Sequence, residues 1–90
     1  MIRYYVFQAD DPAEGFFVEV SGSDELKRTI VDALEDIQGG ELQHFTQKAN
    51  GHYEVDWHDD ALGEMFVWGV APQHDKNTYR SWAVQRGQAA

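Results

Sequence analysis

The chain contains no cysteine. That excludes disulfides, thiolate nucleophiles, zinc ribbons and iron–sulfur clusters held by cysteine. No apolar run approaches the length of a signal-peptide core or a membrane span, and Met1 is followed by a mixed segment containing Arg3. A soluble cytoplasmic protein is therefore expected. No internal repeat, linker or low-complexity segment breaks the chain, and 90 residues make a single domain, 1–90, with 87–90 read as a frayed tail. Hydrophobic content of 42% and aromatic content of 13% point to a folded protein with a modest core.

Basic residues are scarce. Seven Lys and Arg stand against 16 Asp and Glu, a formal net charge of −9. Such a surface repels nucleic acid and anionic membrane, so neither is an expected partner. It suits a basic protein partner, or mimicry of nucleic acid. The charge is uneven: residues 1–45 hold ten acids and three bases, and residues 46–90 hold six and four. From Met65 onward only Asp75 is acidic, against Lys76, Arg80 and Arg86.

Catalytic signatures are also missing. The serines are Ser21, Ser23 and Ser81, none in a nucleophile-elbow context. Asp10/Asp11 and Asp59/Asp60 are carboxylate pairs without the apolar surroundings that would raise one pKa. Gly39-Gly40 ends a helix, whereas a phosphate-binding loop begins one. No cofactor is expected.

The clearest element present is a helix over Ser23–Gly40. Ser23 is placed to cap it through its hydroxyl, with Asp24 and Glu25 at the positive end of the helix dipole. Leu26, Ile30, Leu34 and Ile37 form an apolar stripe at the helical period. Gly39 and Gly40 supply a C-cap. On the outer face Arg28 is spaced to pair with Asp24 and Asp32. Asp32, Glu35 and Asp36 sit toward the negative end of the dipole, where local stability would favour Lys or Arg.

Ile2–Gln8 and Phe16–Val20 read as strands of a hairpin across an Asp10–Gly15 turn, with Phe16, Val18 and Val20 sharing one face. Asn50-Gly51 is the preferred pair for a two-residue hairpin turn. That register pairs Ala49 with His52, Thr46 with Val55 and His44 with Trp57. One face then collects Leu42, His44, Thr46, Tyr53, Val55 and Trp57, which makes His44 a core histidine. The other face collects Gln43, Phe45, Gln47, Glu54, Asp56 and His58, and extends to His52. After a loop at Asp59–Gly63, Met65–Val70 is a strand apolar on both faces. Pro72–Asn77 is a turn, and Thr78–Gln85 a final strand.

The order ββα-ββ-ββ predicts an α+β fold, with one helix on a mostly antiparallel sheet. One helix covers one face only, yet both carry large apolar groups. Either the sheet curls on itself, or an aromatic face stays open to a partner or to a second copy in a homodimer.

Three functional expectations follow. The leading one is a non-enzymatic binding or inhibitor protein whose acids occupy a basic, nucleic-acid-binding surface of a protein partner, in the manner of a phage anti-defence or anti-CRISPR-like decoy. Its candidate contact residues are Asp32, Glu35, Asp36, Glu41, Glu54, Asp56, Asp59 and Asp60. The association of small acidic domains with inhibitors is one of class alone. The rival is a small dimeric α+β enzyme or ligand-binding module with a pocket between sheets. The third is a metal site at Asp56, His58, Asp59 and Asp60, which no metal-binding motif spacing supports.

Overall fold

In the computed structural model, which describes residues 1–11 and 14–73, the elements are β1 (Ile2–Gln8), β2 (Gly15–Val20), α1 (Leu26–Gln38), β3 (Glu41–Gln47), β4 (Tyr53–Asp59) and β5 (Glu64–Pro72). Single 3-10 turns occupy Ser23–Glu25 and Ala49–Gly51. The five strands form one antiparallel sheet in the order β2-β1-β5-β4-β3. The fold is α+β, with one helix on one face of this sheet. The expected strand Thr78–Gln85 and the tail 87–90 lie outside the described residues.

Burial of one helix stripe against one sheet face makes the core. Leu26, Ile30 and Leu34 are fully buried and join Tyr4, Val6, Val18, Val20, Val55, Trp57, Trp68 and Val70 in a single cluster. The alternation in β2 and β4 follows from the pleat: Val18 and Val20 point inward, while Phe17 and Glu19 point away from the helix. At about 25 cal/mol per Å² of apolar area, this burial is the main favourable term.

The helix differs from expectation at both ends. Ser23 does not cap it; no side chain caps either the 3-10 turn or α1. Instead the Glu25 carboxylate accepts the Ser21 backbone N–H at 3.2 Å. The acid of the opening turn thus ties back the chain that leads into the helix, while the amides of the first turn have no side-chain cap. Nor does Arg28 form an ion pair with Asp24 or Asp32 among the described residues. At the other end Ile37 is 57% exposed, although it continues the apolar stripe. The helix outruns the side chains that would cover it.

Gly39 and Gly40 do end the helix, with φ of 67° and 94°. Gly39 has ψ −174°, a region essentially reserved to glycine. Its carbonyl accepts the Trp57 indole N–H at 2.7 Å, and its own N–H bonds the Glu35 carbonyl. A Cβ on Gly40 would overlap the His58 carbonyl oxygen.

The β3–β4 hairpin also differs. Lys48 N–H donates to the His52 carbonyl at 2.8 Å, closing a three-residue loop of Ala49, Asn50 and Gly51. Gly51, at φ 76°, takes the left-handed position that such a loop requires. The register therefore slips by one residue: Phe45 faces Val55, Thr46 faces Glu54 and His44 faces Asp56. A bulge between Leu42 and His44 absorbs Gln43, so Leu42 still meets Trp57. Leu42 and Phe45 both point to the core, and Thr46 points outward. His44 is not a core histidine; it is exposed on the outer face. His52, expected on the wet face, is fully buried.

Leu34→Ala should cost roughly 2–5 kcal/mol in chemical denaturation, because its site is sealed between helix and sheet. Gly39→Ala should cost about 1–3 kcal/mol from backbone strain alone, since nothing stands within 4 Å of its added Cβ. Gly40→Ala should cost more, because the β4 backbone must also move. Equal losses at the two glycines would show that the close approach to His58 carries no energy.

Folding also lowers the Glu25 pKa, through hydrogen bonds from the Ser21 hydroxyl and backbone. Its contribution is therefore present above the ordinary carboxylate range and is lost as pH falls through the folded value. Glu25→Gln should flatten the acid side of the stability–pH curve and lower its neutral-to-basic plateau without changing the slope there, as read by denaturation at a series of pH values.

Candidate functional site

Antiparallel register decides which turns share an end. Phe7 lies opposite Gly15, Gln8 lies opposite Trp68 and donates its N–H to the Glu14 carbonyl, and Asp59 pairs with Glu64. The β1–β2 loop, the β4–β5 turn and the start of β3 at Glu41 therefore lie at one end of the sheet. The C-terminus of α1 reaches the same end, tied there by Trp57 and pressed on His58.

The acids follow this topology. Asp10, Asp11, Glu14, Glu35, Asp36, Glu41, Asp59, Asp60 and Glu64 all belong to this end. Among the described residues it holds no Lys or Arg. Arg3, Lys27, Arg28 and Lys48 sit on the first residues of β1, the first turn of α1 and the opposite hairpin. The negative pole of α1 points to the acidic end, and no basic residue occupies its last turn. Among the described residues the negative charge is concentrated at this end, whereas the opposite end mixes Arg3, Lys27, Arg28 and Lys48 with Glu19, Asp24 and Glu25.

The eight candidate contact residues divide accordingly. Glu35, Asp36, Glu41 and Asp60 are exposed at the acidic end, with Asp32 one turn behind. Asp59 is there but buried, and its Oδ1 accepts the Leu62 N–H at 2.9 Å, so it holds the turn together. Glu54 and Asp56 are half-buried on the outer sheet face. Glu54 lies 4.0 Å from Lys48, and Asp56 lies 3.5 Å from His44 Nδ1. They belong to a different surface. Asp10, Asp11, Glu14 and Glu64 were missed by sequence reasoning. Their place at this end depends on strand order and on the pairing of β1 with β5, which no short window of sequence carries.

The proposed metal knot comes apart for the same reason. Asp56 and His58 face outward, Asp59 faces the helix layer, and Asp60 contacts His58 Nδ1 at 3.4 Å. Among the described residues, no group of three or more His, Asp or Glu is arranged to hold a metal ion.

Two concavities adjoin the sheet ends. The larger, about 720 Å³, is bordered by Met1, Ile2, Arg3, Tyr4, Gly51, Pro72 and Gln73. Burial and the nearby Tyr53 raise the Tyr4 pKa, which leaves its phenol a poor proton donor or nucleophile. Arg3 stacks on Phe17 at 4.3 Å. Among the described residues this lining offers no nucleophile–base pair. The smaller, about 240 Å³, lies at the acidic end between Ile37, Phe16 and Trp68, with Gln8, Glu14 and Gly15 around it. Trp68 is 3% exposed, and among the described residues its indole N–H has no hydrogen-bond partner.

The outer sheet face carries a ring ladder, with Tyr5 against Phe7 at 5.4 Å and against Phe17 at 5.0 Å. Phe7 and Ala71 are fully buried there, so the aromatic face is not an open surface; Phe17 and Met65 are its exposed apolar residues.

Comparison of the chain with protein-family models, curated proteins and solved structures finds no match. No helix among the described residues is long and apolar enough to cross a membrane.

Proposed function

We propose that this is a non-enzymatic binding protein that presents its acidic end to a basic surface of a protein partner, of the kind that otherwise holds nucleic acid. It would act in the cytoplasm as an inhibitor or decoy, as a phage anti-defence protein does. The observation that carries this reading is the segregation of charge. Nine acids gather at one end with no described Lys or Arg among them, and the helix dipole adds to their field. Fold stability does not call for this placement. Glu35 and Asp36 oppose the dipole at about 0.3–1 kcal/mol each, and Asp32 repels Asp36 one turn away. Complementary charge would speed the encounter and set orientation, while apolar contacts would hold the complex.

Replacing Asp32, Glu35 and Asp36 together with Lys or Gln tests the reading. All three are exposed and outside the core, so the melting temperature should stay the same or rise. Partner binding should be lost, and for the parent protein it should weaken steeply toward 1 M salt, where the Debye length falls to about 3 Å. Full binding by the triple variant, together with an affinity indifferent to salt, would overturn the proposal.

A further inference from the structure

The geometry points to the small cleft at the acidic end as an anchor site for one apolar side chain of a basic partner segment, a leucine-like residue flanked by Lys or Arg. This inference rests on the acidic-end reading and specifies where and what that end binds.

Four features of the cleft converge. Ile37 keeps 57% exposure on a helix stripe whose other members are fully buried, so apolar surface is left in water at the cleft mouth. Phe16 and Trp68 form its walls, held edge-to-face at 5.9 Å. The Trp68 indole N–H is buried and has no partner among the described residues, a state that costs about 1–3 kcal/mol and that an incoming carbonyl could relieve. The rim is acidic: Glu14 borders the cleft, Asp36 precedes Ile37, and Asp10 and Asp11 lie in the adjoining loop.

Size and charge select the occupant. About 240 Å³ is below the roughly 300–1,000 Å³ of small-molecule sites and suits one side chain. The rim repels phosphate and carboxylate ligands, and it repels the same end of a second copy. A cationic segment gains from every rim acid, and its apolar residue would cover Ile37. Buried anchors of this kind dominate binding energy where surrounding charges mainly steer.

The test uses the whole protein and two synthetic peptides, each with arginines on both sides of a central residue, leucine in one and alanine in the other. At low salt both should bind, with the leucine peptide at least tenfold tighter. In amide and indole NMR spectra it should shift Gln8, Glu14, Phe16, Ile37 and the Trp68 indole N–H. Ile37→Ser, at an exposed position, should leave folding intact and abolish the leucine advantage while keeping salt-sensitive binding. Equal affinity for the two peptides, without a Trp68 indole shift, would overturn the anchor and leave the acidic-end reading standing. Absence of binding by either peptide at low salt would bring down both. Concentration-dependent shifts of the same resonances without peptide would overturn the inference by making a second copy, offering its Arg3, Lys27, Arg28 and Lys48 end, the occupant.

Discussion

The contact on which the rest depends is the junction between the end of α1 and strand β4. The Trp57 indole N–H holds the Gly39 carbonyl at 2.7 Å, and Gly40 lets the chain pass against the His58 carbonyl. Trp57 is itself fully buried among the inward residues of the sheet. One side chain therefore contributes apolar area to the core and satisfies a helix-end carbonyl that would otherwise lack an intrahelical donor. The junction fixes where α1 ends over the sheet. It thereby sets the positions of Glu35, Asp36 and Ile37, and the direction in which β3 departs.

That placement has electrostatic consequences. In an antiparallel sheet, alternate connections return to the same end, and here those connections are the acidic ones. The β1–β2 loop, the helix exit and the β4–β5 turn each bring two or more acids. Mutual repulsion among them lowers stability and is screened by salt, whereas the buried stripe and strand pairing are not. Core and acidic end are separable: Leu26, Ile30 and Leu34 hold the helix down, while the side chains of Asp32, Glu35 and Asp36 are exposed outside the core. Asp59 is the exception, a carboxylate within the acidic end that is withdrawn to brace the Asp59–Gly63 turn.

Among the described residues, the Trp68 indole and the Gln38 amide are buried donors without a partner, and they mark where packing is incomplete. Trp68 lines a cleft that the helix end leaves partly uncovered. A domain of this size buries a modest share of its surface, and a gap beside the last helical turn is where that limit shows.

Much of the fold was legible locally. The period of Leu26, Ile30 and Leu34, the glycine pair after them, the β-branched and aromatic content of β1 and the period-two alternation of β2 and β4 are properties of short windows, and those elements formed where the windows place them. Asn50-Gly51 likewise marked a reversal. It did not determine the loop length, because an Asn-Gly pair with glycine left-handed serves a two-residue or a three-residue turn. One residue of difference moved His44 and Thr46 out of the core and Phe45 into it. The bulge at Gln43, which keeps Leu42 on Trp57, is likewise a compromise between the turn and the core. The candidate site was legible as composition and not as place. An acidic helix face could be read from the sequence; the gathering of Asp10, Asp11, Glu14, Glu41, Asp60 and Glu64 around its end could not. That gathering depends on strand order and on β1 pairing with β5, contacts between residues some sixty apart. Sequence alone determined how much negative charge the chain carries and which residues can be buried. Tertiary structure decided which charges share a surface and which apolar residue, Ile37, is left without cover. Register and strand order arise only when distant segments pack together.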